Sequence, residues 1–449
     1  MNIKIDSRKV KDGDTFIAIV GSLSDGHDFI EAAIKNGAKK IVAEYGSYSV
    51  ETLIVKNTKT YLEKELTKYY KDITKDIKFV GITGTNGKTT TSSFIYQLLN
   101  SLSIKTSLIG TTGFYLNNNI KYLDNTTPDA VDLYYMIEEC KNEDIKVIVL
   151  EISSHALVQN RVIGITLDVA CFTNLTQDHL DYHKTMDEYL KAKLLILNKL
   201  KPSGKIIVNC DDAYSKYFCN GKEVCIGKDS KDFLIKKTDL QENITYVDFE
   251  YKNIIYKVTL NFNMLFNVYN YMIALAAVNM LGISIYDILS VSSLLYLPHG
   301  RCETILYKGN KIVVDYAHSP DAVLKVISNY KEICKGNIIT VIGCTGSRDR
   351  EKRPIMASLV TKLSDKVIFT DDDLHYEERE SIENDMLKGD LINNYIFVYD
   401  RKNAIKKAIN MLTTNDTLLI LGMGHQDYTY VKDKKIPHND INEVKKNLI

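Results

Sequence analysis

The chain has no tryptophan, few prolines and no CxxC pair among its eight cysteines. Zinc-ligand and dithiol-redox spacings are therefore absent, and a disulfide framework would be unusual for 449 residues. Reduced thiols are the expectation. Net charge is missing as well, because 57 Lys+Arg balance 57 Asp+Glu. No global basic field exists to hold nucleic acid or an anionic membrane. No apolar run approaches the ~20 residues that span a bilayer. The opening MNIKIDSRKVKDGD lacks the apolar centre of a secretory signal. What is present, 45% apolar and 25% charged residues, is ordinary for a globular protein. A soluble cytoplasmic chain of about two to four domains is expected, at ~100–200 residues each.

Three blocks emerge. Residues 1–76 hold short β-branched runs at 15–20 and 40–43, a helix-like stretch at 29–37, and a basic, tyrosine-rich helix and linker at 61–78. Residues 77–299 alternate strand-like runs (78–82, 146–150, 167–172, 205–208) with helical ones (88–101, 130–141, 187–200). That alternation predicts a mostly parallel sheet covered on both faces. The stretch 231–262 alternates without a long helix and reads as a small antiparallel insertion, followed by a helical pair at 267–281 and 285–295. After the turn Pro298-His299-Gly300, strand-like runs at 311–315, 337–342, 366–370, 395–399 and 417–421 predict a second α/β unit over 300–449.

The strongest local signal is Gly81-Ile82-Thr83-Gly84-Thr85-Asn86-Gly87-Lys88-Thr89-Thr90. Glycines let backbone N–H groups crowd phosphate oxygens. Lys88 reaches the β and γ oxygens, Thr89 offers a hydroxyl to magnesium, and the helix N-terminus favours the anion. A strict phosphate-loop pattern has Gly six residues before Lys; here that position is Ile82. Glu151 ends an apolar strand where a parallel sheet places its ligands, as a magnesium-holding acid does. Asp178, His179, Asp181 and His183 crowd the end of another strand. Oxygen and imidazole ligands suit a divalent ion, although such a run alone is equally a surface loop. Lys193 sits in a helical run and by pattern alone is a solvated lysine.

These motifs, in this order and over essentially the whole chain, resemble the Mur ligases of peptidoglycan synthesis. The resemblance rests on GTNGKTT (84–90), Thr-Thr-Pro (126–128), Glu-Ile-Ser-Ser-His-x-Leu-x-Gln-x-Arg (151–161) and Phe-Thr-Asn-Leu-x-x-Asp-His-Leu-Asp-Tyr-His (172–183). It continues through Phe-Asn-Val-Tyr-Asn (266–270), Gly-Arg (300–301), Asp-Tyr-Ala-His-x-Pro (315–320), Gly-Ser-Arg-Asp-x-x-Lys-Arg-Pro (346–354) and Gly-x-Gly-His-x-Asp-Tyr (422–428). The opening Asp6-Ser7-Arg8, with Gly13-Asp14 and Asp25-Gly26-His27, resembles the member that adds the third residue of the stem peptide.

The resemblance implies an α/β, three-domain architecture: a uridine-nucleotide-binding domain (1–76), a central ATPase (77–299) and a Rossmann-like amino-acid-binding domain (300–449). It implies an ATP-dependent amide ligase working through an acyl phosphate. The partners would be UDP-MurNAc-L-Ala-D-Glu, ATP with magnesium, and an amino acid, with no nucleic acid or membrane, in a monomer. Carried over residue by residue, Lys88, Lys193 and His179 are catalytic. Gly84, Thr85, Asn86, Gly87, Lys88, Thr89 and Thr90, with Asn267, Arg301 and Asp315, bind ATP. Ser7 and Ser22, in the Ser22–Ser24 segment, contact the uridine of UDP-MurNAc-dipeptide, and Thr126, Thr127, Ser153, Gln159 and Arg161 its muramoyl-dipeptide. Arg348, Asp372, Asp373, His375, Gly422 and Gln426 face the amino acid. Thr89 and Glu151 would hold one magnesium, and His179 with a carbamate on Lys193 a second.

The third substrate is where this chain departs. Members using meso-diaminopimelate typically carry Asp-Asn-Pro-Arg where this chain has Asp372-Asp373-Leu374-His375, and Glu where it has Gln426. His375 is a weaker, pH-dependent anchor for a distal carboxylate than arginine. The departures argue against ordinary diaminopimelate recognition and leave a basic or small L-amino acid open. Met264-Leu265 also replaces the usual Gly-x before Phe-Asn. Folylpolyglutamate and cyanophycin synthesis share the core, but the uridine-type opening argues against them. A catalytically silent nucleotide binder would need Lys88, Glu151, His179 and Lys193 to be idle.

Overall fold

The computed structural model describes residues 2–448 except 22, 23, 74 and 118. Four short strands, β1 (Ile3–Lys4), β2 (Thr15–Ile17), β3 (Lys40–Ala43) and β4 (Glu51–Ile54), pair in parallel in that order. The helix Thr58–Ile73 follows, and Leu66 and Tyr70 bury into the same apolar cluster as Tyr134 and Ile137 of the helix Ala130–Asn142. Lys9 bonds Asp132 (2.6 Å) and Lys4 bonds Tyr135 (2.8 Å), so this first sheet is tied to that central helix.

The second sheet begins with β5 (Lys78–Thr83), β6 (Thr106–Gly110), β7 (Gly113–Leu116), β8 (Asn119–Lys121), β9 (Val147–Glu151), β10 (Leu167–Phe172), β11 (Leu200–Asn209) and β12 (Glu223–Gly227). β13 (Phe233–Leu240), β14 (Thr245–Tyr251) and β15 (Ile254–Leu260) complete it. The spatial order is β15-β14-β13-β12-β11-β10-β5-β9-β6-β7-β8. β5 lies between β10 and β9, parallel to both. Period-two side-chain alternation explains its burial. Phe79 joins Ile148, Leu150 and Phe172 on one face, while Val80 and Ile82 join Val149, Val169 and Phe94 on the other. The helix Leu265–Met280 is apolar nearly all round and is buried accordingly against that second face.

The 231–262 stretch is not a separate insertion. β13–β15 are antiparallel to one another, but β13 pairs in parallel with β12 and so extends the central sheet. The third sheet contains β16 (Glu303–Tyr307), β17 (Asn310–Asp315), β18 (Ile338–Ile342), β19 (Lys366–Phe369), β20 (Tyr395–Phe397) and β21 (Thr417–Leu421), ordered β16-β17-β21-β18-β19-β20. All but β16 run parallel. A hairpin of β22 (Tyr428–Val431) and β23 (Lys434–Pro437) follows. Parallel strands gather their carboxyl ends on one edge. The loops after β5, β9, β10 and β11 thus share one edge of the central sheet, and those after β17, β18, β19 and β21 share one edge of the third.

Candidate active site

The loop after β5 turns through Gly84 (φ 148°) and Gly87 (φ 85°) into the helix Lys88–Ser101. A Cβ at Gly84 would strike Thr173 Oγ1, and one at Gly87 would strike Asn270 Oδ1. The extension of β10 holds the loop. Thr85 N donates to Asn174 O (2.8 Å), Asn86 N to Asn174 Oδ1 (2.9 Å), and Thr173 Oγ1 to Asn86 O (2.6 Å). Two lysines close on this loop. Lys88 Nζ donates to Gly84 O and Thr85 O, each at 2.8 Å, and Lys193 Nζ donates to Gly84 O at 2.7 Å. Lys193 is 1% exposed, which overturns its reading as a solvated lysine from pattern alone. Burial first, and then the charge of Lys88, push its amine well below the ordinary lysine range. Burial also lowers Lys88.

Glu151, at the end of β9, is wholly buried. Its Oε2 accepts Thr89 Oγ1 (2.9 Å) and Thr111 Oγ1 (3.0 Å), and its Oε1 accepts Thr111 N (3.0 Å). A buried carboxylate bound to the hydroxyl that follows the loop lysine is an oxygen donor pair suited to magnesium. Thr89 and Glu151 fit one divalent ion as an oxygen donor pair, and among the described residues no three His, Cys, Asp or Glu side chains gather at a metal site.

His179 (φ 55°) precedes the short helix Leu180–His183. Its ring lies 5.0 Å from that of His155 and 6.2 Å from that of Tyr189. Burial lowers His179 to about 3, and His155 and His183 to about 4. Asp178 is buried, which by itself would raise its carboxyl. His179, Lys352 and His318 outweigh that and hold it low. Lys352 Nζ is 3.5 Å from Asp178 Oδ1 and His318 Nε2 is 3.8 Å from Oδ2, both arriving from the C-terminal third of the chain.

A cavity of about 610 Å³ opens beside the loop, walled by residues 85–90, Asp178, His179, Asn209, Asp211, Asn267, Asn270, Arg301 and Asp315. Arg301 donates to Thr89 Oγ1 (3.2 Å), stacks over Tyr316 (4.5 Å) and leaves a buried Nε without a hydrogen-bond partner. Asn267 accepts from Asn270 Nδ2 (2.9 Å) at the start of its helix. Asp315 is engaged by Cys302 N and Ala317 N, each at 2.7 Å, so its carboxylate braces the loop at the cavity wall.

The residues expected at the dipeptide fall mostly together. Thr127 Oγ1 donates to Glu151 O (2.8 Å), Ser153 N to Thr127 Oγ1 (3.1 Å), Arg161 to Thr127 O (2.9 Å) and Arg161 Nε to Gln159 Oε1 (2.9 Å). Thr126 bonds Thr111 (3.0 Å). Ser7 is buried in the first sheet's layer, where its carbonyl accepts Asn36 Nδ2 (2.9 Å). Ser22 lies outside the described residues.

The amino-acid set is also assembled, apart from Arg348, which is half-exposed and points toward Asp181 at 3.9 Å. Asp372 and Asp373 are buried. Thr345 Oγ1 and Asp373 N donate to Asp372 Oδ1, and Tyr430 N donates to Asp373 Oδ1 (2.7 Å). Burial, then Asp372, raise the Asp373 carboxyl to about 6. His375 (φ 49°) stacks on Tyr430 at 5.2 Å. A Cβ at Gly422 would meet Asp372 Oδ2 at 2.7 Å.

Some participants were given no role from sequence. Thr111 follows β6, and only its spatial approach to Glu151 reveals it. Asn174 and Lys352 stand inside quoted motifs without an assigned part. The expectation of thiols throughout also has an exception: Cys210 and Cys225 form a disulfide, their Cα atoms 5.6 Å apart. β11 and β12 pair Val208 with Cys225, so Cys210, on the same face as Val208, meets it from the strand's end. A separation of 15 residues carries no such signal in the sequence.

Three family models match: Mur ligase family, catalytic domain (residues 1–73), Mur ligase middle domain (82–278), and Mur ligase, glutamate ligase domain (300–424). Similar curated relatives include the UDP-N-acetylmuramoyl-L-alanyl-D-glutamate–2,6-diaminopimelate ligases of Clostridium botulinum (37% identical) and Clostridium tetani (38% identical). In both, 100% of this chain aligns with 94% of the relative. A solved structure of a ligase with the same description is 28% identical, covering 100% of this chain and 94% of that one, with a TM-score of 0.69. MurF ligase from Thermotoga maritima, solved with ADP, shares the fold at 22% identity, covering 100% of this chain and 96% of that one, with a TM-score of 0.69.

Proposed function

The chain belongs to the Mur ligase family, and on that premise we propose that it is an ATP-dependent ligase of peptidoglycan synthesis, adding the third residue to UDP-MurNAc-L-Ala-D-Glu. The observation that carries this reading is the convergence of Lys88, Lys193 and the Thr89–Glu151 pair on one phosphate loop. A carboxylate is a poor electrophile, so the γ-phosphoryl group of ATP first passes to the D-glutamate carboxylate. The amine of the incoming amino acid then attacks the acyl carbon. The tetrahedral intermediate collapses with loss of phosphate, leaving ADP and the amide. Positioning and charge neutralisation do most of the catalytic work. Lys88 and Arg301 supply fixed positive charge at the transferring group. Magnesium, held by Thr89 and Glu151 and by His179 with a carbamate on Lys193, would supply the remainder.

We take the chain as three domains, 1–76, 77–299 and 300–449, acting in the cytoplasm as a monomer. Among the described residues no helix is long and apolar enough to cross a membrane. The relatives are named for 2,6-diaminopimelate, which makes a diamino acid the first choice. Asp373, with Asp372 beside it, offers the carboxylate for a side-chain ammonium. His375 in the arginine's place favours a second reading, a diamino acid such as lysine that has no distal carboxylate.

The test is purified protein with ATP, magnesium and UDP-MurNAc-L-Ala-D-Glu, offered amino acids singly, with phosphate release and product mass measured. A tripeptide nucleotide with one diamino acid is expected, and its loss in Lys88→Ala. Phosphate release that never depends on an amino acid would sink the reading.

A further inference from the structure

We infer that Cys210–Cys225 is a thiol–disulfide exchange site that sets how firmly the nucleotide cavity is held. The bond joins the end of β11 to β12, and the residues flanking Cys210, namely Asn209, Asp211 and Asp212, are part of the cavity wall. Asn209 Nδ2 donates to Thr173 O (3.0 Å), in the segment that grips the phosphate loop. Asp211 Oδ2 accepts the hydroxyl of Tyr269 (2.6 Å), two residues beyond Asn267. Asp212 Oδ2 accepts Leu175 N (3.2 Å). One covalent tie therefore steadies three polar links that run to both sides of the cavity. Without it, β11 and β12 remain paired through their ladder, so reduction would loosen the 209–212 turn and leave the sheet intact.

Access favours exchange at one sulfur. Cys210 is half-buried and Cys225 is buried. A small thiolate attacks Cys210 Sγ and the S–S bond breaks. Cys225 leaves with the electron pair and takes a proton. A second thiolate then attacks the added sulfur, releasing a small-molecule disulfide and the second protein thiol. Two electrons and two protons pass to the protein, and the reverse path, driven by a small-molecule disulfide, restores the bond. Of the remaining cysteines, Cys140, Cys171, Cys302 and Cys344 are buried, which leaves Cys219 and Cys334 as the background thiols a measurement must separate.

The experiment uses the full chain in glutathione buffers of graded thiol-to-disulfide ratio. Intact mass and peptide mapping after alkylation follow the bond. Calorimetry follows affinity for a non-hydrolysable ATP analogue. The expected result is loss of two hydrogens mapping to Cys210 and Cys225 on oxidation, with the analogue bound about three- to tenfold more tightly, since a preorganised wall gives up less freedom on binding. Cys225→Ser is expected to bind like the reduced wild type in every buffer. The redox titration of wild type stands even if that variant folds poorly. Oxidation that never maps to this pair, equal affinity in both states, or a Cys225→Ser protein that still responds would each overturn the inference. The choice of probe rests on the ATP reading. An analogue that binds in neither state overturns that reading together with this one, whereas binding that ignores the bond overturns this one alone.

Discussion

Lys193 shows what a single residue can hide. Its helical spacing is that of a solvated lysine, and nothing in its neighbours' identities signals that Tyr189 and the phosphate loop enclose it. Only the resemblance to Mur ligases gave it a role, and its depressed basicity gives that role a physical basis. Lys193→Ala is expected to keep the fold while losing about 100-fold or more in turnover. Wild-type protein in ¹³C-bicarbonate should show a carbamate resonance that the variant lacks; full turnover without Lys193 would rule the carbamate out. Asp373 makes an opposite case, because its acidic type was legible while its burial was not. Burial, then Asp372, push its carboxyl up to about 6 in the fold against an ordinary 3.8. The folded state thus favours the proton, and the penalty for ionising it is absent below about pH 4, grows through pH 6 and is complete above that. Asp373→Asn should therefore match wild-type stability near pH 4 and exceed it by on the order of 1–3 kcal/mol at pH 8, at 1.36 kcal/mol per pKa unit. Urea melts at the two pH values check this, and an equal difference at both would show that Asp373 pays no ionisation penalty.

At the scale of elements, the strand–loop–helix around Lys88 was readable because backbone and ligand make the same demand. Glycine is needed where φ is positive and where a neighbour leaves no room for a Cβ. Gly87→Ala meets both obstacles, left-handed backbone and the amide of Asn270. It should weaken binding of an ATP analogue at least about tenfold, beyond the ~1 kcal/mol that the backbone alone costs. Gly282→Ala is the control: its φ is +100° but nothing lies within 4 Å of the added Cβ. It should cost about 1 kcal/mol of stability and leave nucleotide affinity unchanged. Equal affinity loss in both would deny the loop its specific fit. Elements whose identity rests on long-range pairing were less readable. β13–β15 show alternation plainly, but their union with the central sheet hangs on two residue pairs, Ile226 with Phe233 and Gly227 with Leu234. No local pattern encodes that pairing, so the stretch read as an insertion.

Across the whole molecule, the central and C-terminal parts meet at a buried carboxylate. Asp178 stands at the end of the central sheet, and the Lys352 ammonium and the His318 ring beside it come from the other part. Gln177 with Asp349 and Asn86 with Asp321 add hydrogen bonds at 3.4 and 3.0 Å across the same seam. The sequence offered both motifs but not their meeting, because ion pairs across a seam follow from how two sheets are set against each other. Lys352 is 5% exposed, so Lys352→Met would leave Asp178 buried without its main counter-charge, a loss worth about 3–5 kcal/mol when one partner of a buried pair is removed. Only Met264, with Phe266 and Leu297 packed against it, carries the C-terminal core across the seam, so the chain can avoid much of that loss by parting there and letting water reach Asp178. The expected outcome is a larger radius in solution scattering and a raised KM for the amino acid, with secondary structure unchanged. Asp178→Asn combined with Lys352→Met should recover part of the compactness, because the uncompensated charge is then gone. A single variant as compact as wild type, with unchanged KM, would show that the seam is held by packing and neutral hydrogen bonds instead.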